Sequence, residues 1–375
     1  MISIRYKCLI FALFLTGSLS QKSFGSADLH SVNYDFNQQK LDEAKDSFHF
    51  LRTYVDYFYL LVNANKSNFQ SLSTTTSVPG WCVGDAHAEN FGVLIQDNGS
   101  SLFSMNDIDD SGPCPIVLDI FRLMVSSRLY DNNIKLNKIL EAYLEGVQGT
   151  KRDLPLAIQN MIQKSQKKGI APSNKKISGN KLVRDSEMSE VSSEVVTLIK
   201  QALHAYMNSS TDLLDVVATS KAGGGSGGLL RYEVLLSKNG VLLHLELKEE
   251  ITPSIYPVEI GPAPDTTTRI LTMLHLDQGE KLSKYYNVIQ VDNKTLLVRP
   301  RFAGNIGISL NEQSNSENKE IINYEAYQLG LIHSRSINNI SSWVSLLQNV
   351  KSKDWEADVE SMTTHFEKTF SKLKK

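Results

Sequence analysis

Gly84-Asp85-Ala86-His87-Ala88-Glu89-Asn90, followed by Asn106-Asp107-Ile108-Asp109-Asp110, sets out oxygen-bearing side chains at a spacing from which the rest of the chain can be read. Asp85 and Asn90 form a D-x4-N pair, and Asp107 arrives at the end of the next apolar segment. Between them, two short apolar runs, 91–95 and 102–105, flank Asp97-Asn98-Gly99. Asn-Gly is a strong hairpin signal, because both residues accept positive φ. A hairpin here puts both acidic motifs at one end and brings Asp85, Asn90 and Asp107 together. Carboxylates crowded into one turn repel unless a cation sits among them. Magnesium takes hard oxygen donors, one or two carboxylates at a time. The expectation is therefore Mg held by Asn90, Asp107 and Asp109, with Asp85 as the base toward a hydroxyl. Taken singly, each motif has a plainer reading, such as a chance D-x4-N pair, a solvated turn or a calcium loop.

Further along, Gly223-Gly224-Gly225-Ser226-Gly227-Gly228 leads into two alternating stretches, 229–236 and 241–248, around Lys238-Asn239-Gly240. They read as antiparallel strands, the second ending at Lys248. Glycine runs are commonly linkers. Followed by strand, turn and strand ending in lysine, such a run can instead fold over phosphates. Without β-carbons, its backbone N–H groups approach closely. The combination predicts ATP bound by Gly223, Gly224, Gly225, Ser226, Gly227, Gly228 and Lys248.

Helical spacing is read at 42–62, 118–130, 136–148, 154–164, 191–207, 269–276, 320–333 and 355–373. A hairpin is read at 288–291 and 295–299, a loop at 71–80 and a short strand at 81–83. Pro113 and Pro115 break the chain, and the Lys-, Ser- and Asn-dense 163–194 reads as a flexible surface excursion. At the N-terminus Arg5 and Lys7 precede an apolar run, 8–15, and then small residues, the order of a secretory signal. The run is too short to span a bilayer comfortably, and export to the periplasm or exterior is expected. Cys82 and Cys114 remain after removal of Cys8, either bridged across the acidic motifs or as two buried thiols. A net charge of -2 gives no electrostatic footprint for nucleic acid.

Gly84-Asp85-x-His87-x-x-Asn90 with a later Asp107, and Asp119 opening a helix, resembles the catalytic segment of aminoglycoside phosphotransferases and related small-molecule kinases. The chain more closely resembles an uncharacterised bacterial family, domain of unknown function 2252. The blocks that carry this are Phe48 to Arg52, Gly84 to Gly92, Asn106 to Asp110, Asp119 to Leu123, the glycine run, Leu247-Lys248-Glu249, Val298-Arg299 and Leu331 to Arg335. The kinase resemblance implies an α+β, two-lobed protein-kinase-like fold, circularly permuted, since the catalytic motifs precede the glycine-loop lobe. The expected division is a signal at 1–26, a helical catalytic lobe at 27–212, a β-rich nucleotide lobe at 213–302 and helices at 303–375 completing the first lobe. The implied activity is Mg- and ATP-dependent phosphoryl transfer to a hydroxyl on a small molecule or protein, by a monomer. An exported pseudokinase that binds a ligand or protein, and nucleotidyl transfer in the same cleft, are the alternatives. The pattern departs at Val83, where the phosphotransferases carry histidine. No glutamate is plainly placed to pair with Lys248; Glu249, Glu250 and Glu259 are the candidates.

Overall fold

Among the described residues two large apolar cores form, one among helices and one beneath a sheet, with a small third cluster around Val217 and Leu235. The computed structural model describes residues 29–207, 211–220, 225 and 227–375. The expected signal at 1–26, and Gly223, Gly224 and Ser226, lie outside the described residues. The fold is mixed α+β with several antiparallel sheets.

The larger core gathers Phe58, Phe121, Ile139, Leu329, Met362 and Phe366 from the helices Val55–Asn65, Val117–Tyr130, Leu136–Val147, Asn315–Ser334 and Ser352–Leu373. Two of these helices cross backbone to backbone. A Cβ on Gly146 would lie 2.0 Å from the Tyr327 carbonyl oxygen, and one on Gly330 would lie 2.2 Å from that of Tyr143. Any larger residue at either position pushes the helices apart.

The second core lies under a six-stranded antiparallel sheet. Its order is Asn287–Val291, Lys294–Pro300, Val241–Glu249, Arg231–Lys238, Thr211–Thr219 and Met188–Glu190. Side chains alternate faces along a strand. One face carries Val234, Leu236, Leu245, Leu247 and Val298 and packs on Ile199, Leu203 and Met207 of the helix Ser193–Met207. The alternate positions, Arg231, Glu233, His244, Glu246 and Lys248, are polar and nevertheless buried. Buried charges demand partners. Arg231 pairs with Glu246 and His244 with Glu233 within the sheet, and the acidic hairpin supplies the partners of Lys248.

That hairpin forms as the turn chemistry predicts. Phe91–Ile95 pairs with Ser101–Met105, Phe91 opposite Met105 and Ile95 opposite Ser101. The Asn106 N–H donates to the Asn90 carbonyl at 3.0 Å, so the two motifs sit side by side. Ile306–Gly307 adds a third strand.

Several elements differ from expectation. The single helix expected over 42–62 is three, Gln38–Glu43, Ser47–Thr53 and Val55–Asn65. Asp46 restarts the helix by accepting the His49 N–H at 2.8 Å, and Tyr54, at ψ 67°, interrupts it again. Pro113 and Pro115 lie in the strand Gly112–Pro115, which pairs with Pro79–Cys82 in a two-stranded ribbon. A proline needs no ladder donor at an open edge. The 163–194 excursion is built instead: the helix Leu156–Lys168 enters it, Ile177–Ser178 pairs with Lys181–Leu182, and Met188–Glu190 joins the large sheet. Arg184 fixes it through ion pairs to Glu190 and Asp215. The helix Ser193–Met207 packs with the sheet, across the boundary expected at 212. Ile340–Asn349, capped by Asn339, is a helix that periodicity did not suggest.

Cys82 and Cys114 are joined in a disulfide, which closes a sequence separation of 32 around both acidic motifs. Loop-closure entropy for a ring of that size stabilises the fold by about 3.5 kcal/mol. The Cys82→Ala/Cys114→Ala double variant is expected to lose roughly that much in urea unfolding. An unchanged midpoint would show that the ring constrains nothing in the unfolded chain.

Candidate functional site

Between the acidic hairpin and the polar face of the sheet lies a cleft of about 1000 Å³. Asp85, Asn90, Asp107 and Asp109 line one wall and Glu246 and Arg299 the other.

Asp85 is held from below and behind. Gly84, just before it, has φ +85°, and a Cβ there would meet the Asp110 carbonyl oxygen at 2.0 Å, so only glycine fits the turn. The Val83 and Gly84 N–H groups donate to Asp119, at 2.6 and 3.1 Å. Asp119 also pairs with His333 Nε2 at 2.9 Å, and His333 Nδ1 lies 2.8 Å from the Tyr143 hydroxyl. Trp343 Nε1 donates to the same hydroxyl. Arg122, one turn beyond Asp119, donates through Nε and Nη2 to Asp85 Oδ1, at 3.1 and 2.6 Å. Its guanidinium lies over the Phe58 ring. Burial raises the Asp85 pKa, Arg122 pulls it back and Asp110 pushes it up again, which leaves it at about 6. His87 Nε2 is 3.5 Å from Asp85 Oδ2. Burial, with Arg52 and Arg122, holds the His87 pKa well below its ordinary value, so the ring is neutral.

Asn90 ties the two motifs together. Its Nδ2 donates to the carbonyls of Asp85 and Asp107, and its Oδ1 accepts the Asp107 N–H at 3.1 Å. Asp107 Oδ2 meets Lys248 Nζ at 2.7 Å, and Asp109 Oδ2 is a second ion-pair partner of the same ammonium. Burial alone would raise the Asp107 pKa, but Lys248 and Arg299 take it well below the carboxylate range. Burial lowers that of Lys248, against the attraction of Asp107. The remaining oxygens, Oδ1 of Asp107 and Oδ1 of Asp109, are buried without a hydrogen-bond donor. Orphaned oxygens on two carboxylates that share one ammonium suit a hard divalent cation. Among the described residues no three His, Cys, Asp or Glu side chains converge as a ready-made metal cage. Asp110 is turned away from them, and its Oδ1 accepts the Ser254 N–H at 2.7 Å.

Lys248 is fully buried beneath these aspartates and does not line the cleft, whereas Arg52, Arg231, Arg299 and Arg301 do. Glu246 ion-pairs with both Arg231 and Arg299. Burial pushes the Glu246 pKa up, but Arg299, Arg301 and Arg231 outweigh it and bring it to about 2. None of the glutamates considered as partners is within ion-pair distance of Lys248 among the described residues, but Glu250 lies close enough for the two charges to act on each other. Glu249 pairs with Lys294 at 2.6 Å, Glu250 faces Arg269 at 3.4 Å, and Glu259 is influenced by Arg269. Of the glycine run, Gly225 lines the cleft and its carbonyl accepts from Lys40 Nζ at 3.2 Å. Gly227 is buried, and Gly228 has φ +85°.

The structure thus brings Asp85, Asn90, Asp107, Asp109 and Gly225 around one crevice and sets Lys248 beneath Asp107 and Asp109, out of the lining. Sequence reasoning passed over Arg122, His333, Glu246 and Arg299 as site residues. The signal for Glu246 and Arg299 was there: polar residues at every second position of otherwise leucine-rich strands.

No helix among the described residues is long and apolar enough to cross a membrane. No curated protein and no solved structure matches the chain. Residues 38–144, which hold Asp85, Asn90, Asp107, Asp109, Asp119 and Arg122 but none of the large sheet, match the family described as an uncharacterized protein conserved in bacteria, domain of unknown function 2252.

Proposed function

We propose that this chain is a two-lobed, circularly permuted kinase-like phosphotransferase that moves a phosphoryl group from ATP to a hydroxyl acceptor. In this reading the helical core with the acidic hairpin makes one lobe, and the large sheet with the helix Ser193–Met207 packed on it makes the other. The observation that carries it is the contact between Lys248 and Asp107, side chains 141 residues apart in sequence that close on one another beside Asp85.

The chemistry needs positioning and charge more than covalent help. Asp85 Oδ2 takes the proton of the acceptor hydroxyl, while Arg122 fixes the other oxygen. The hydroxyl oxygen forms its bond to the terminal phosphorus as the bond from that phosphorus to its bridging oxygen breaks, releasing ADP. Asp107, Asp109 and Asn90 are the residues that would hold magnesium, which would supply neutralisation of the phosphate charge. Lys248 holds the two carboxylates in place. Of the glycine run, Gly225 lines the cleft in which the phosphates would sit. The Cys82–Cys114 bond supports action outside the reducing cytoplasm.

MgATP is expected to raise the thermal midpoint, since a ligand bound to the native state stabilises it. Terminally labelled ATP should deliver its label to a hydroxyl acceptor or to water. No shift together with no label transfer at millimolar MgATP removes this reading.

A further inference from the structure

The cleft is bipolar. Asp85, Asp107 and Asp109 face it from the hairpin side. The sheet side presents Arg231, Arg299 and Arg301, with Glu246 between them and the exposed Glu187 at the rim. Glu246 accepts from both Arg231 and Arg299, which fixes their guanidinium planes at the cleft wall. Arg299 Nη1 also donates to the Asn106 carbonyl and stands 4.0 Å from Asp107 Oδ1, so this wall reaches the edge of the acidic site. The Arg301 side chain is 46% exposed, and its Nε lies 3.9 Å from Glu233, too far for a hydrogen bond. Apolar side chains on the lining are few, chiefly Leu94, Tyr286 and Ile306.

We propose that Arg299 and Arg301, with Arg231 aligned beside them by Glu246, form a binding site for a phosphate chain, as carried by a nucleoside triphosphate or an inorganic polyphosphate. The inference rests on the phosphotransferase reading and deepens it by moving recognition of the donor's phosphates from Lys248 to the arginine wall. Lys248 is sealed under Asp107 and Asp109, so a ligand in the cleft meets arginine before it meets lysine. Guanidinium groups match phosphate oxygens two at a time and are weakly hydrated, which favours them over ammonium in a half-closed cleft. A row of such groups selects a chain of phosphates over a single anion. The acidic wall opposite then faces the metal that accompanies the chain.

The test is calorimetric titration of the full chain with inorganic tripolyphosphate and magnesium, and in parallel with MgATP. The parent protein is expected to bind. Arg301→Ala and Arg299→Lys should each weaken binding by about tenfold or more, the loss of one charge-assisted contact. Arg128→Ala, which breaks an ion pair to Glu356 outside the cleft lining, should leave binding unchanged. Equal affinity for the two probes assigns recognition to the phosphate chain alone, and much tighter MgATP binding assigns a nucleoside-borne chain. Parental affinity in both cleft variants, or no binding of either probe by the parent, overturns the site. Thermal midpoints of the variants guard against loss of fold. Asp85→Asn should retain tripolyphosphate binding while losing turnover, whereas a parent protein that binds the probes but shows no turnover counts against the phosphotransferase reading and leaves this site standing.

Discussion

Asp85→Asn is expected to lower phosphoryl transfer by about 10²- to 10⁴-fold, the usual contribution of a positioned general base. The substitution is close to isosteric, and its amide oxygen can still accept from Arg122, which holds Asp85 Oδ1 at 2.6 Å. The turn is fixed by Gly84 and Asp119 rather than by the Asp85 carboxylate, so the fold should survive. The parent's own pH profile provides a second reading. Burial raises the Asp85 pKa to about 6, with Arg122 opposing and Asp110 adding to the rise. A base works only when deprotonated, so kcat/KM should climb as pH rises through about 6 and level off above it. Burial, with Arg52 and Arg122, moves the His87 pKa the opposite way, well below its ordinary value. An Asp85→Asn enzyme with parental turnover, or a flat parental profile between pH 5 and 7, removes Asp85 from the role of base.

Lys248→Met should be the most damaging single change to stability. It strips the counter-ion from Asp107 and Asp109 and leaves two like charges facing one another. Removing one partner of a buried ion pair costs roughly 3–5 kcal/mol. The lower figure, about 3 kcal/mol, is expected here, because the Asp107 side chain is 37% exposed and water screens part of its charge. The pH dependence has a definite sign. In the parent, Lys248 and Arg299 depress the folded-state pKa of Asp107 against the opposing effect of burial. Its stabilisation is therefore present above the unfolded value near 4 and is lost as pH falls below it. In Lys248→Met the repelling carboxylates gain protons more readily when folded, so their penalty is full at neutral pH and eases on acidification. The gap between parent and variant midpoints should narrow from pH 7 toward about pH 4. Magnesium should also rescue the variant more than it stabilises the parent. Equal parental and variant stability at pH 7, with no difference in response to magnesium, would mean that the ammonium holds nothing in place.

Much of this architecture was legible because it is written locally. Asn98-Gly99 announces a hairpin, and a hairpin places Asn90 beside Asn106 whatever the rest of the chain does. The turn at Asn239-Gly240, with both residues at positive φ, does the same for the strand that ends at Glu249. What escaped was long-range. Arg122 was visible as a helical residue, yet only the crossing of Val117–Tyr130 beneath the Asp85 loop makes it that carboxylate's partner. His333 reaches Asp119 across 214 residues, a distance no local pattern encodes. The breaks near 44 and 54 were missed because a helical apolar stripe continues across them, while the Asp46 cap competes locally. Segment 163–194 misled by composition. Among its few apolar residues, Ile177, Leu182 and Met188 dock it on Val217 and Leu235.

The pairing of Lys248 with Asp107 also dictates an order of events during synthesis. The disulfide ring and its aspartates emerge early, but the ammonium that neutralises them follows only after well over a hundred further residues. Contacts of such separation form late and slow the approach to the native state. Until then Asp107 and Asp109 lack the partner that the sheet supplies. Productive folding of the acidic segment is therefore coupled to near-completion of the polypeptide.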